Sequence, residues 1–160
     1  MRSFLTRPRT LWLAFTATLL LTLVFIIIMA VWDFAVIDEM SDPEKVRAHV
    51  EAMTAEQRRV HARLTSTADL LYPFAYSTFF AGMALRWLGR AGPLFATVAF
   101  LVVPFDLTEL VAQVQILGGD FTWLPVKAVA TPIKLALYLP ALAATLVAAA
   151  VAARSRLRRS

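Results

Sequence analysis

Apolar residues in this chain gather into long runs, and polar residues recur at helical intervals inside some of them. From Thr10 to Trp32 there is no charged residue, and a bilayer-spanning helix needs about 20 mostly apolar residues. Three further runs cover about 67–88, 93–117 and 124–153. The second starts with Asp69 and ends with Arg86, which can snorkel to an interface. The third and fourth carry charges within them. Backbone polar groups in lipid must be satisfied inside their own segment, so such runs read as helices. The pattern predicts an all-α fold, a four-transmembrane-helix bundle forming a single membrane domain over residues 1–160. The first run has the basic start of a secretory signal. Its apolar stretch is too long for one and no A-x-A site follows, so it is expected to be retained.

Between the first two runs the pattern changes. Ser41-Asp42-Pro43-Glu44 reads as a capping box with proline in the first turn. Val46, Val50, Met53, Val60 and Leu64 then recur at steps of three and four, with Gln57 filling one gap. A single narrow apolar stripe results, with charge around the rest. It predicts an extra amphipathic outer (periplasmic) helix over about 42–64, lying on the membrane surface or across the bundle mouth. His49 and His61 flank the stripe twelve residues apart, too far to share a metal on a straight helix. Two interfacial histidines, or a pH-sensing lid, are the readings left for them.

Composition agrees with a membrane solvent. Hydrophobic residues make up 59% of the chain and mean hydropathy is +0.67, above the roughly half-apolar make-up of soluble domains. There is no cysteine, which excludes disulfides, thiolate metal sites and thiol nucleophiles. There is no asparagine, so no N-glycosylation acceptor exists.

The net charge of +5 is unevenly placed. Arg2, Arg7 and Arg9 open the chain, Arg86 and Arg90 sit in one turn, and Arg154, Arg156, Arg158 and Arg159 close it. With four spans these fall on one side. Opposite lie Asp33, Asp38, Glu39, Asp42, Glu44, Glu51 and Glu56, which outnumber Lys45, Arg47, Arg58, Arg59 and Arg63. The positive-inside rule then predicts a multi-pass protein of the cell (inner or plasma) membrane with both termini cytoplasmic, and basic tails that serve orientation rather than nucleic acid. Trp12, Trp32, Trp87 and Trp123 fall at predicted span ends, where indole rings prefer to sit. Ala141, Ala144, Ala148 and Ala152 form a small-residue face that permits close helix contact.

Charge inside a bilayer is costly and marks function or a specific pair. Asp106, Glu109 and Gln113 share one face of the third run, and Lys127, Thr131, Lys134 and Tyr138 share one face of the fourth. The turn between the runs is centred near Asp120. Equal distance from it matches Lys134 with Asp106, Thr131 with Glu109, and Lys127 with Gln113. Asp69, Tyr72 and Tyr76 share a face at the outer end of the second run. Pro73, Pro104, Pro132 and Pro140 interrupt the helical ladders nearby. The expected result is a polar cavity in the outer half of the bundle.

Asp106, Glu109 and Lys134 are the candidate catalytic groups. The carboxyls would form an acid–base pair acting on a lipid-like or apolar small molecule. Asp69, Tyr72, Tyr76, Gln113, Lys127, Thr131 and Tyr138 are the candidate ligand-binding groups. No cofactor and no metal is expected, since Asp106-x-x-Glu109 has lysines beside it. No nucleophilic triad or phosphate loop is present. Two other function classes fit the same residues: a homo-oligomeric proton- or ion-coupled transport component, and an accessory subunit whose charges meet a partner helix.

Asp69-Leu70-Leu71-Tyr72-Pro73-Phe74-Ala75-Tyr76, followed by Asp106-x-x-Glu109 and a lysine in the last run, resembles a pattern in small, uncharacterised bacterial four-span membrane proteins. Leu110 stands where that pattern has asparagine. The resemblance covers the second to fourth runs and implies no activity. In topology alone, the layout is similar to the sterol-isomerase and sigma-2 receptor group.

Overall fold

The structure, a computed structural model, describes residues 2–38 and 40–157, excluding the side chain of Arg156. Glu39, Arg158 and Arg159, which entered the charge argument, lie outside the described residues, as does the Arg156 side chain. Among the described residues, seven α-helices run in chain order: α1 (Arg2–Leu5), α2 (Pro8–Trp32), α3 (Pro43–Ala52), α4 (Ala55–Leu64), α5 (Leu70–Trp87), α6 (Gly92–Leu117) and α7 (Leu124–Leu157). A π-helical turn, Thr65–Asp69, joins α4 to α5. No strand occurs among the described residues.

Among the described residues, three helical stretches are long and apolar enough to cross a membrane: Pro8–Trp32, Gly89–Leu117 and Phe121–Ser155. Four were expected. The remaining run, α5, carries Tyr72, Tyr76, Ser77, Thr78 and Arg86, and packs against α2, α6 and α7. The polar residues Tyr76 and Ser77 lie on its buried face, while Leu70, Leu71 and Phe74 are exposed. By contrast, α2 buries only Leu11 and Ala14, and exposes Leu13, Leu19, Leu20, Leu23, Ile26 and Ile27. A continuous apolar flank of that kind is rare on proteins in water.

Glycines mark the closest helix contacts. A Cβ at Gly82 would lie 2.6 Å from the Leu5 carbonyl oxygen, and one at Gly92 would lie 2.6 Å from that of Ala84. These fix the approach of α1 and α6 to α5. On α7, Ala141, Ala144 and Ala148 are buried and Ala152 is half-buried. That leaves the small-residue face turned inward.

The outer segment differs from the continuous helix over 42–64 that the stripe predicts. It breaks at Met53–Thr54 into α3 and α4. Thr54 caps α4 in a capping box with Gln57, so Gln57 is a terminal residue rather than part of a stripe. Its Nε2 also donates to the carbonyls of Trp32 and Asp33 at 3.0 Å, tying α4 to the end of α2. The N-cap of α3 is Asp42, whose carboxylate accepts from the amides of Glu44 and Lys45, and not Ser41. Val46, Val50, Met53 and Leu64 are buried with Phe34, Ile37, Ile116, Leu117 and Leu124. The α3–α4 pair therefore packs across the α6–α7 end of the bundle.

One histidine, His61, departs from the expectation of an interfacial pair. His49 Nε2 donates to the Ala35 carbonyl at 2.9 Å. His61 is 0% exposed, stacks on Phe34 at 5.0 Å between centroids, and neither of its ring nitrogens has a hydrogen-bond partner. The break at Thr54 turns the phase of α4 so that His61 faces inward.

A candidate ligand chamber in the polar interior

Helix α6 presents Asp106, Glu109 and Gln113 inward, and all three are buried. Opposite, α7 presents Lys127, Thr131 and Lys134. The register expected from the hairpin holds at two of its three pairs. Lys134 Nζ lies 3.4 Å from Asp106 Oδ1 and also pairs with Glu109 Oε2. The Thr131 hydroxyl donates to Glu109 Oε1. Lys127 does not match Gln113: its Nζ donates to Glu109 Oε1 at 2.5 Å and to Thr131 Oγ1 at 3.1 Å. A lysine stem spans about one helical turn of 5.4 Å, so Lys127 reaches one step inward. Glu109, 0% exposed, and Lys127, 1% exposed, are thus enclosed in a network that satisfies both carboxylate oxygens.

Gln113 instead donates from Nε2 to Asp38 Oδ1 at 3.1 Å. Asp38 entered the sequence reading only as outer-loop charge. The chain leaves α2 through Asp33, which caps the helix in a left-handed conformation (φ 49°), and the turn carries Asp38 back to the interior. Nothing in the local sequence marks that path.

On the other side stands α5. The Tyr76 hydroxyl donates to Asp106 Oδ2 at 2.5 Å, and the hydroxyls of Tyr72 and Thr22 are 3.2 Å apart. Asp69 occupies the last position of the π-turn. Pro73 lies four residues on, so it has no N–H to offer the Asp69 carbonyl and its ring presses on that group. A π-turn absorbs such a misfit, and π-turns recur at functional sites. The Asp69-x-x-x-Pro73 spacing was the available signal for it.

These elements enclose a cavity of about 320 Å3. Asp38, Asp69, Asp106 and Lys134 supply its polar wall, with Tyr72, Tyr76 and Tyr138 beside them. Phe25, Ile26, Met29, Val36 and Leu135 supply the apolar wall, and Thr22 completes the lining. Of the ten expected site residues, Asp69, Tyr72, Tyr76, Asp106, Lys134 and Tyr138 line the cavity. Glu109, Gln113, Lys127 and Thr131 are buried and are absent from its lining. The aromatic residues form a chain, with ring centroids 5.3 Å apart for Tyr72–Tyr76 and 5.2 Å for Tyr76–Tyr138. Among the described residues no three histidine or acidic groups converge in a way that could hold a metal ion.

No family model, curated protein or solved structure matches the chain. The chamber's chemistry is therefore read from its own residues. It offers one cation, three carboxylates and three phenols beside an apolar wall. Ile26 lines the cavity and is also exposed on the apolar flank of α2, so the chamber reaches the surface that an apolar solvent would cover.

Proposed function

We propose that this chain is a four-span protein of the cell membrane that binds the polar end of a lipid-like or apolar small molecule in this chamber. In this reading α5 is the fourth crossing, α3 and α4 form the outer layer, and both termini are cytoplasmic. The positions of Arg2, Arg7, Arg9, Arg86, Arg90 and Arg154 support that orientation. One observation carries the binding proposal: a cavity of about 320 Å3 places Asp69, Asp106 and Lys134 against an apolar wall. That combination of apolar lining and a few convergent polar groups is typical of small-molecule sites.

Asp106 is the group best placed for proton transfer. It faces the cavity while held by Tyr76 and Lys134. Glu109 acts here as a positioning residue, because it fixes Lys134 from behind the wall. The resemblance to small bacterial membrane proteins rests on Asp69, Tyr72, Tyr76, Asp106, Glu109 and a lysine, all of which lie in or beside the chamber.

The test is extraction and mass spectrometry of what co-purifies with the protein in mild detergent. The expected result is an apolar species near one copy per chain, absent when Val36→Trp fills the cavity in a protein that remains folded. Identical extracts from the two proteins would remove the proposal. Asp106→Asn is expected to abolish any turnover of that species, and unchanged turnover would remove the acid–base role.

A further inference from the structure

The chamber does not balance its own charge. Four carboxylates (Asp38, Asp69, Asp106 and Glu109) share two lysines, Lys127 and Lys134, leaving an excess of two acids over bases. Both lysines contact Glu109, and Lys134 also serves Asp106. Asp38 has the Gln113 amide. Asp69 is 7% exposed and has no hydrogen-bond or ion-pair partner among the described residues. The charges that bear on it are Asp38, Asp106 and Glu109, of its own sign, against Lys134 alone. A buried carboxyl without a partner is costly to ionise until a cation is brought to it, and this one faces a cavity.

We infer that the chamber takes an organic cation: an amine or ammonium head group on an apolar body, with Asp69 as its counter-ion. This rests on the binding reading above and names the ligand class for it. A bare metal ion fits poorly, because no three acidic or histidine groups converge on one point. An anion would meet three carboxylates. A cationic head, by contrast, meets Asp69, Asp38 and Asp106, and finds the ring faces and edges of Tyr72, Tyr76 and Tyr138 around it, a setting that favours ammonium groups. The volume of about 320 Å3 is at the lower end of the ~300–1,000 Å3 usual for ligand pockets, so it suits a head group and a short stretch of chain. The rest of an alkyl body would leave past Ile26 along the apolar flank.

The experiment compares octylamine, octanol and octanoate at pH 7, measured by thermal unfolding of the full chain in neutral detergent and by calorimetric titration. Octylamine is expected to stabilise the protein, octanol weakly, and octanoate not at all. Asp69→Asn is expected to lower octylamine affinity roughly tenfold or more, about 1.4 kcal/mol. Asp38→Asn provides a second, smaller loss should Asp69→Asn fail to fold. Octanol stabilising as strongly as octylamine, or wild-type affinity in both variants, would overturn the cation assignment while leaving the apolar-ligand reading in place. Stabilisation by none of the three would overturn both.

Discussion

On the α6–α7 side of the interior, Glu109 is closed in by Lys127, Lys134 and Thr131, with no contact to the cavity. On the α4–α5 side, Asp69 is also buried, yet it has no partner among the described residues and faces the cavity. Both are carboxylates at low exposure in the same small protein. The first shows what the fold does with charge that only has to be tolerated: it surrounds it with donors. The second has no ion-pair or hydrogen-bond partner among the described residues, although Lys134 lines the same cavity. Burial alone therefore does not separate the two acids; the missing partner and the facing cavity do.

The contrast can be broken most sharply at Lys127. Lys127→Met removes one of the donors to Glu109, and breaking a buried pair costs about 3–5 kcal/mol. Chemical unfolding in detergent should show that loss. Adding Glu109→Gln should recover a large part of it, because the network then loses a charge of each sign. Failure of the second change to recover stability would mean that Glu109 is not the group Lys127 serves.

The next effect is a pH response on the open side. Burial against Phe34 pushes the His61 imidazole down from 6.5 to about 4, with Asp38 opposing the shift. The folded state thus holds His61 neutral where the unfolded chain would already take a proton. Its contribution is complete above about pH 6.5 and is lost as pH falls toward about 4, on the order of 3 kcal/mol across that window. Unfolding of wild type and His61→Phe at several pH values checks this. The variant should be less acid-sensitive, and parallel curves would contradict the burial of His61.

Tyr76 stands between the two sides, since it lines the cavity and donates to Asp106. Tyr76→Phe should cost about 1.5–3 kcal/mol, the range for a hydrogen bond to a charged group, as read by thermal unfolding. The smallest stability effect is expected at Asp69. Asp69→Asn replaces a buried carboxyl that has no partner among the described residues, so stability should stay within about 0.5 kcal/mol of wild type or rise. A loss as large as that of Lys127→Met would erase the distinction between the two sides.

Much of the α6–α7 side was legible in the sequence, because antiparallel helices joined by a short turn keep a fixed rise per residue. Counting outward from Asp120 therefore placed Lys134 against Asp106 and Thr131 against Glu109. It failed for Lys127, whose flexible stem is not bound to the depth of its own Cα. The outer segment was read less well. Thr54-x-x-Gln57 is a capping box, and an uninterrupted apolar count conceals it. Once that break is missed, His61 is assigned to the wrong face. Asp38 depends on a loop path set by tertiary contacts with Gln113, which no local periodicity encodes. The packing of α5 against α2, α6 and α7 likewise follows from the assembled bundle.

The chain has no native cysteine, so single-cysteine reactivity can test the division directly. Asp69→Cys and Thr131→Cys would each be treated, in folded protein in detergent, with a small cationic methanethiosulfonate reagent. The expected result is rapid modification at position 69 and protection at position 131 until the protein is denatured. Modification at both positions, or at 131 alone, would contradict a sealed α6–α7 network beside an open chamber.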